Sequence, residues 1–425
     1  MLAISLAVLV ALALVGRRFG GSLLYPPATF AAVWALCLAL YGSSGDLFFK
    51  IADDTLFFYV WCACAFGVGG SVMLVLRQIV TGPSLAPRPV SASRHQKIKW
   101  VLDFCLLILV IGLPFYIRYI MSLIENEGIL GFFITIRAKM IQLGDESMGA
   151  VSFMDNLVVL ANAVALVVYY EDDHSRSRRW RTWLALALAG LYNVLTAGRA
   201  GIVTLILSLF ALHWLKDKKP NWKVLTALGT AFIVTFVALA ILVRKGDVEK
   251  DATVVENLPA VFDGFLWYAL GGIVAFDTVY HRPTEIEANQ NVDRDLQVVA
   301  KKLDNQIEVP SIHSQYTTIG PTGNMNVYTA YFSYYPEFGF VGTTAILFLL
   351  GACLTWIYLL ARSGSPQATF LFSIMFAGIV LTGYAENLLL NINFLAKMFL
   401  FTFVLYRFRN DSQQHVDKIA LSFAR

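Results

Sequence analysis

An arginine in a tight, glycine-rich turn has the most specific chemistry in this sequence. The turn, residues 196–201, reads Thr-Ala-Gly-Arg-Ala-Gly, and its glycines let the backbone bend closely. The guanidinium of Arg199 is a planar fork of N–H donors that can hold two phosphate oxygens at once. The alternative is that Arg199 extends to lipid headgroups and binds no substrate. The choice depends on the segments that position the turn.

Those segments belong to a chain with the composition of a membrane protein. Of its 425 residues, 57% are hydrophobic and only 15% are charged. Soluble domains average about 45–50% apolar and about 25% charged residues. Apolar runs of about 20 residues, the length that a helix needs to cross the hydrocarbon core, recur along the chain. Soluble enzyme folds are therefore excluded for most of it, and a net charge of +4 does not indicate a nucleic-acid partner.

The apolar runs predict an all-α, polytopic bundle of about eleven transmembrane helices, with residues 1–425 forming one membrane domain. A further apolar stretch, residues 258–280, holds two acids and a Gly-Gly pair and reads as an interfacial or re-entrant helix. The eleven predicted spans are residues 2–15, 23–41, 55–76, 100–119, 151–170, 183–196, 202–215, 223–243, 338–361, 367–384 and 388–406.

Basic residues predict the orientation of the bundle. The alternate connections on one side hold 20 of the 33 Lys and Arg residues, so we expect that side to be cytoplasmic. This places the N-terminus outside and the C-terminus inside. Arg17 and Arg18 follow the first apolar run, whereas a signal peptide carries its positive charge before it, so the run reads as a span.

The predicted outer side has a medium loop, residues 120–150, and a large loop, residues 244–337. The large loop mixes acids with tyrosines, which can stack on sugar rings and offer hydroxyls. Tyr316 and Tyr328 are its sugar-binding candidates, and the amide of Asn387, in the last outer turn, is a third. The alternatives are an aromatic belt at the membrane interface and an ordinary polar turn.

Two stretches of the chain resemble a known family. Residues 192–212, YNVLTAGRAGIVTLILSLFAL, are similar to the Gly-Arg turn of bacterial O-antigen polymerases, the Wzy-type oligosaccharide repeat-unit polymerases. Residues 323–351, GNMNVYTAYFSYYPEFGFVGTTAILFLLG, are similar to the start of a late span in that family. The span count, the large late outer loop and the basic inner loops agree with it as well. The resemblance implies a GT-C-like helical membrane fold.

The resemblance also implies an activity and partners. The substrates would be oligosaccharide units on undecaprenyl pyrophosphate, at the periplasmic face of a bacterial inner membrane. The growing glycan would leave its lipid pyrophosphate and join the terminal sugar of a new unit. A chain-length regulator and a flippase of the same pathway are the implied protein partners, and no cofactor is expected.

This reaction needs cations for the leaving pyrophosphate, because charge develops there as the bond breaks. The outer-side candidates close to the membrane ends are Arg199, Arg244, Lys245 and Arg137. Each of them has a plain alternative as an interfacial cation.

The reaction also needs a base for the attacking hydroxyl. His313 is the first candidate, because it lies in the large outer loop and an unperturbed histidine titrates near pH 6.5. Glu337, at the mouth of a span, is the second. His281 is set aside because the adjacent Arg282 disfavours its protonated form, and His313 could also be a surface histidine without a chemical role.

No metal site is predicted. Asp293 and Asp295 have the spacing of metal-binding glycosyltransferase motifs, and Asp53 and Asp54 lie in the first outer loop, but such spacings are common in acid-rich loops. Two other functions stay open. One is an O-antigen ligase or another transferase that uses polyprenyl-linked sugars. The other, which is not an enzyme, is a flippase or transporter of lipid-linked oligosaccharides.

Overall fold

The chain is mostly helical, which confirms the predicted all-α class. The computed structural model describes residues 1–81, 95–122, 150–171, 176–195, 199–217, 226, 230, 258–282, 297, 300–301, 304, 306–307, 316–321, 323–389 and 392–407. The α-helices whose bounds the structure describes are α1 Leu2–Gly20, α2 Pro26–Ser43, α3 Asp53–Thr81, α4 His95–Ser122, α5 Ala150–Glu171, α6 Arg176–Leu195, α7 Arg199–Asp217, α8 Leu258–His281, α9 Tyr335–Arg362, α10 Pro366–Val380 and α11 Ile392–Arg407.

Short elements lie between some of these helices. Three 3₁₀ turns, Gly45–Leu47, Ala330–Ser333 and Leu381–Gly383, precede or follow helices of the bundle. The only sheet in the described residues is a two-stranded antiparallel hairpin of β1, Thr317–Thr318, and β2, Asn324–Met325.

Ten of the eleven predicted spans coincide with a helix of the structure. The other one, residues 223–243, lies outside the described residues except for Thr226 and Thr230, which are helical. Six described helices (α1–α4, α9 and α10 with its 3₁₀ turn) are long and apolar enough to cross a membrane. The chain is therefore a multi-pass membrane protein. Helix α8 is the stretch that the sequence marks as interfacial or re-entrant.

Several helices extend past their predicted ends into polar sequence. Helix α6 begins at Arg176, seven residues before the predicted span, and α4 begins at His95. A hydropathy pattern detects only the apolar part of a helix. The helix itself is longer, because its backbone hydrogen bonds continue into the neighbouring charged residues.

The chain divides into two compact units, although its apolar pattern indicates no boundary. The first unit comprises Met1–Ser84, Lys245–Leu360 and Met375–Ile392. The second comprises Leu85–Arg244, Ala361–Ile374 and Asn393–Arg425.

In the first unit, α3 and α9 run parallel and touch closely. The Trp61 indole donates to the Thr344 hydroxyl at 3.1 Å near the start of both helices. Further along, a Cβ added at Gly69 would overlap the carbonyl oxygen of Phe348, so only glycine permits this approach. The alternating topology predicts the same direction for both helices.

Aromatic rings fill the core of the first unit. The Trp34 ring stacks on Tyr331 with centroids 4.8 Å apart, and Tyr331 stacks on Tyr59 at 5.7 Å. Phe58 and Phe276 pack beside them at 5.7 Å from each other. These contacts fix α2, α3, α8 and the 3₁₀ turn before α9 to one another.

In the second unit, α4 and α6 are parallel. Arg181 pairs with Asp103 at 3.0 Å, and the Tyr192 hydroxyl donates to the Leu109 carbonyl at 2.8 Å further along both helices. Asp103 is the plainest charge inside a predicted span, and the structure gives it a partner. The parallel direction again agrees with the alternating topology.

Candidate functional site

The Gly-Arg turn joins two helices of the second unit. Helix α6 ends at Leu195, and Arg199 is the first residue of α7. The first N–H groups of a helix lack intrahelical partners, and the helix dipole places partial positive charge there. The backbone at Arg199 is therefore a favourable place for an anion, whatever the guanidinium contributes.

Two buried asparagines bond to each other beside the turn, and one of them contacts Gly201. Asn193 on α6 is 1% exposed, and its Nδ2 donates to Oδ1 of Asn162 on α5 at 2.7 Å. The same Nδ2 donates to the Ala189 carbonyl at 2.8 Å. A Cβ added at Gly201 on α7 would overlap Oδ1 of Asn193, so the amide and the glycine backbone are packed together.

The second resemblance stretch forms the approach to α9 in the first unit. It begins just before β2, continues through the 3₁₀ turn Ala330–Ser333, and runs into α9 as far as Gly351. Gly339 has φ +59°, so the helix is interrupted after that first turn. Glu337, the second candidate base, lies in the isolated turn and is exposed.

The two tyrosine candidates for sugar binding have opposite environments. Tyr316 is 72% exposed, so its ring is open to a ligand. Tyr328 is only 2% exposed, its ring stacks on Phe332 with centroids 4.2 Å apart, and its hydroxyl bonds to that of Thr317. Because a buried ring presents no face to a sugar, Tyr328 belongs to the hydrophobic core before α9 and is not a sugar contact in this structure.

The last predicted outer turn is held by Glu386. Its carboxylate accepts the backbone N–H groups of Leu388 and Leu389 at 2.9 Å and the hydroxyl of Tyr334 at 2.8 Å. Burial, and then this carboxylate, raise the pKa of Tyr334, so its hydroxyl stays protonated and donates. Asn387 is half-buried beside it, with Nδ2 3.3 Å from the Ala385 carbonyl. Glu386 thus organises the turn, and Asn387 keeps a partly open amide.

His281 lies between two carboxylates, and the sequence argument against it is wrong. Its Nδ1 is 2.8 Å from the Asp277 carbonyl oxygen, and its Nε2 is 3.1 Å from Oδ2 of Asp54. A carbonyl oxygen and a carboxylate oxygen both accept, so this arrangement favours a ring in which both nitrogens carry a proton. The bond to the Asp277 carbonyl, and then the Asp277 and Asp54 carboxylates, raise the pKa of His281. Arg282 follows it in sequence but does not decide its charge.

Further contacts join α8 to the start of α3 around this pair. Asp277 accepts hydrogen bonds from the Thr55 hydroxyl and, at 3.2 Å, from the Ala52 N–H. The half-exposed rings of Tyr280 and Tyr335 lie 5.0 Å apart between centroids. The first unit thus brings an exposed and a partly buried carboxylate, a histidine and two tyrosines to one end, a set that suits sugar hydroxyls.

Sequence reasoning missed the Asp54–His281 pair and the asparagine pair. Asn162 and Asn193 have a signal that could have found them, since a polar amide inside an apolar helix needs a buried partner. The signal for Asp54 and His281 is weaker, because 227 positions separate them.

Some predicted residues lie outside the described part of the chain. They are His313, Arg137, Arg244, Lys245, Asp293 and Asp295. Within the described ranges, no group of three or more His, Cys, Asp or Glu side chains is arranged to hold a metal ion.

Comparisons of the chain with family models, with curated proteins and with solved structures gave no match. The family resemblance therefore rests on the two quoted stretches and on the architecture.

Proposed function

We propose that the protein is a membrane glycosyltransferase that polymerises oligosaccharide repeat units carried on undecaprenyl pyrophosphate. The observation that carries the proposal is the start of α7 at Arg199, within the stretch that resembles the O-antigen polymerases. The first backbone N–H groups of a helix, the positive end of its dipole and a guanidinium belong to one turn there. This is the donor set that a pyrophosphate group needs.

The reaction consists of one exchange of bonds at a sugar carbon. The bond between the anomeric carbon of the growing glycan and the pyrophosphate oxygen breaks, and the electron pair leaves with the lipid pyrophosphate. A hydroxyl of the terminal sugar on a new unit forms the new glycosidic bond and loses its proton to the base. Arg199 meets the charge on the leaving group, and we assign Arg244, Lys245 and Arg137 to the same task.

His313 is the proposed base, with Glu337 as the second candidate. The exposure of Glu337 in the isolated turn before Gly339 supports its inclusion, because a base must reach a substrate hydroxyl. Tyr316 and Asn387 are the proposed sugar contacts, joined by the tyrosine and carboxylate groups around His281. No step of the scheme uses a metal ion or cofactor.

The location follows from the substrate. We place the reaction at the periplasmic face of a bacterial inner membrane, with the C-terminus in the cytoplasm. A chain-length regulator and a flippase of the same pathway are the proposed partners.

A flippase is disfavoured by the charges in the described spans. A flippase would need ionisable side chains facing a cavity in mid-membrane. Asp103, the plainest such charge, is instead paired with Arg181 at 3.0 Å. This pair links α4 to α6, so the charge of Asp103 is balanced within the protein.

The test uses purified protein in liposomes with lipid-linked repeat units extracted from the source organism. We expect a ladder of longer glycans on a gel, without added nucleotide. Transfer of single units to a non-polyprenyl lipid acceptor would indicate a ligase, and movement of units across the bilayer without elongation would indicate a flippase. Either result would overturn the proposal.

The base is tested in the same assay. His313→Ala should abolish elongation while the protein still retains the lipid-linked donor, because the base acts on the acceptor hydroxyl. His415→Ala, on the predicted inner side, is the matched control and should be silent. If His313→Ala remains active and Glu337→Gln does not, Glu337 replaces it.

A further inference from the structure

The Gly-Arg turn rests on a buried polar contact that no substrate would touch. Asn162 and Asn193 are 2% and 1% exposed, and they come from different helices, α5 and α6. The two bonds donated by Nδ2 of Asn193, to Asn162 and Ala189, hold its amide in one orientation. Because a buried amide loses these partners if it rotates, the position of its oxygen is fixed.

The fixed oxygen faces the backbone of the next helix. A Cβ at Gly201 would overlap Oδ1 of Asn193, would lie 3.3 Å from its Cγ and would lie 4.0 Å from its Cβ. Asn193 precedes the turn and Gly201 follows it, so this contact closes the turn. Any larger residue at position 201 has to push α7 away or break the asparagine pair.

A displacement at Gly201 is passed to Arg199, because both belong to the first turn of α7. Relieving the overlap takes a movement of about 1 Å, and a misplacement of that size can cost about 100-fold in rate. The movement that a larger residue at position 201 would cause is therefore large enough to impair a catalytic group.

We propose that Asn162, Asn193 and Gly201 form a positioning device that fixes the start of α7 so that Arg199 meets the pyrophosphate of the lipid-linked substrate. The proposal rests on the proposed function. Asn193 and Gly201 are positioning residues and do not touch the substrate. The effect of a larger residue at position 201 should therefore depend on whether the Asn193 amide is present.

The coupling is tested by a double-mutant cycle of Gly201→Ala and Asn193→Ala. The rate of elongation by each purified variant is measured as a function of the concentration of lipid-linked repeat units from the source organism. Gly201→Ala should lower kcat/KM about 100-fold and raise KM about tenfold, because the pyrophosphate is held less well. A smaller active fraction lowers the maximal rate alone, so the raised KM separates positioning from partial misfolding.

The second substitution should remove the penalty of the first. Asn193→Ala takes away the overlapping oxygen and leaves only its Cβ, 4.0 Å from the new methyl group. In that background Gly201→Ala should change kcat/KM by no more than about threefold. Gly190→Ala is the matched control on α6, because a Cβ there meets nothing within 4 Å, and it should be silent.

The thermal transitions of the same four proteins, measured without substrate, test the contact by itself. Gly201→Ala should lower the transition temperature in the wild-type background and much less in the Asn193→Ala background. The positioning proposal is overturned if Gly201→Ala leaves KM unchanged, or if its penalty is equal in both backgrounds. A wild-type protein that does not elongate lipid-linked units overturns the proposed function and the role of Arg199, whereas a coupled thermal cycle would still establish the contact.

Discussion

The carboxylate of Asp54 lies 3.1 Å from Nε2 of His281, although 227 positions separate the two residues. The pair joins the start of α3 to the end of α8, and Asp277 lies on the other side of the imidazole. The large predicted outer loop is therefore tied back to the first outer connection by an ion pair. Its strength depends on the protonation of one histidine.

This pair predicts a pH dependence of stability. The folded structure raises the pKa of His281 above 6.5, so its stabilising charge is fully present below about pH 6.5 and is lost as the pH rises through the folded value. The difference in transition temperature between wild type and His281→Asn should therefore shrink from pH 6 to pH 8. The effect should be modest and weaken with salt, because the histidine side chain is 41% exposed.

Asp54→Asn provides the matched variant for that measurement, because it removes the partner without changing the imidazole. It should lose part of the same pH dependence. A wild-type advantage that grows with rising pH would contradict the raised pKa of His281.

Substitution of the turn arginine tests the proposed pyrophosphate site. Arg199→Lys keeps the charge but loses the planar fork, and removal of one preorganised donor typically costs about 2.7–4 kcal/mol, or about 100- to 1000-fold in rate. Elongation on a gel should fall by that amount, with a near-normal amount of protein in the membrane. Arg18→Lys, near the predicted inner end of α1, is the control. An active Arg199→Lys variant would leave Arg244 and Arg137 as the candidates.

Thiol labelling tests the predicted orientation in the membrane. Cysteines introduced at Asp251 and Gln290 should react with a membrane-impermeant reagent added outside, and those at Arg178 and Lys218 should not. The reason is the excess of Lys and Arg in the connections predicted to be cytoplasmic. Mass spectrometry of the labelled peptides distinguishes the introduced cysteines from the native ones. Reaction at Arg178 from outside would reverse the assignment of every outer residue.

The response to a chelator tests the cation-based scheme. Elongation should persist in excess chelator, because the proposed donors for the leaving pyrophosphate are arginines and a lysine. The rate is measured before and after chelation, with added magnesium or manganese as the second arm. Activity that is lost and then restored by a metal would contradict the scheme and indicate a metal site, with Asp53, Asp54, Asp293 and Asp295 as candidate ligands.

Substitution of two glycines on α3 tests the close packing of this helix on α9. Gly69→Ala should destabilise the first unit by about 1–3 kcal/mol, because its methyl group would overlap the Phe348 carbonyl of α9. Gly67→Ala meets nothing within 4 Å and should be neutral or slightly stabilising, since alanine favours helix. Thermal transitions in detergent compare the two. Equal transitions would mean that α3 and α9 do not approach at Gly69.

Local chemistry explains what the sequence by itself determined. A run of about 20 apolar residues must bury its backbone groups in a helix within a membrane, so hydropathy predicts where helices form. Basic residues in alternate connections predict their directions, and the parallel pairs α3–α9 and α4–α6 agree with them. The position of Arg199 at the start of a helix was also readable in part, since the glycines around it indicate a turn before a helix.

Tertiary structure decided which side chains meet, because contacts between distant positions leave no periodic trace in one sequence. Tyr328 looks like a loop tyrosine in the sequence, yet folding buries it against Phe332. His281 is the last residue of α8 and precedes Arg282, and only the packing of α8 on α3 brings Asp54 to it. The size limit at Gly201 likewise comes from Asn193 across the turn, because steric contact depends on the arrangement of both helices and not on either segment alone.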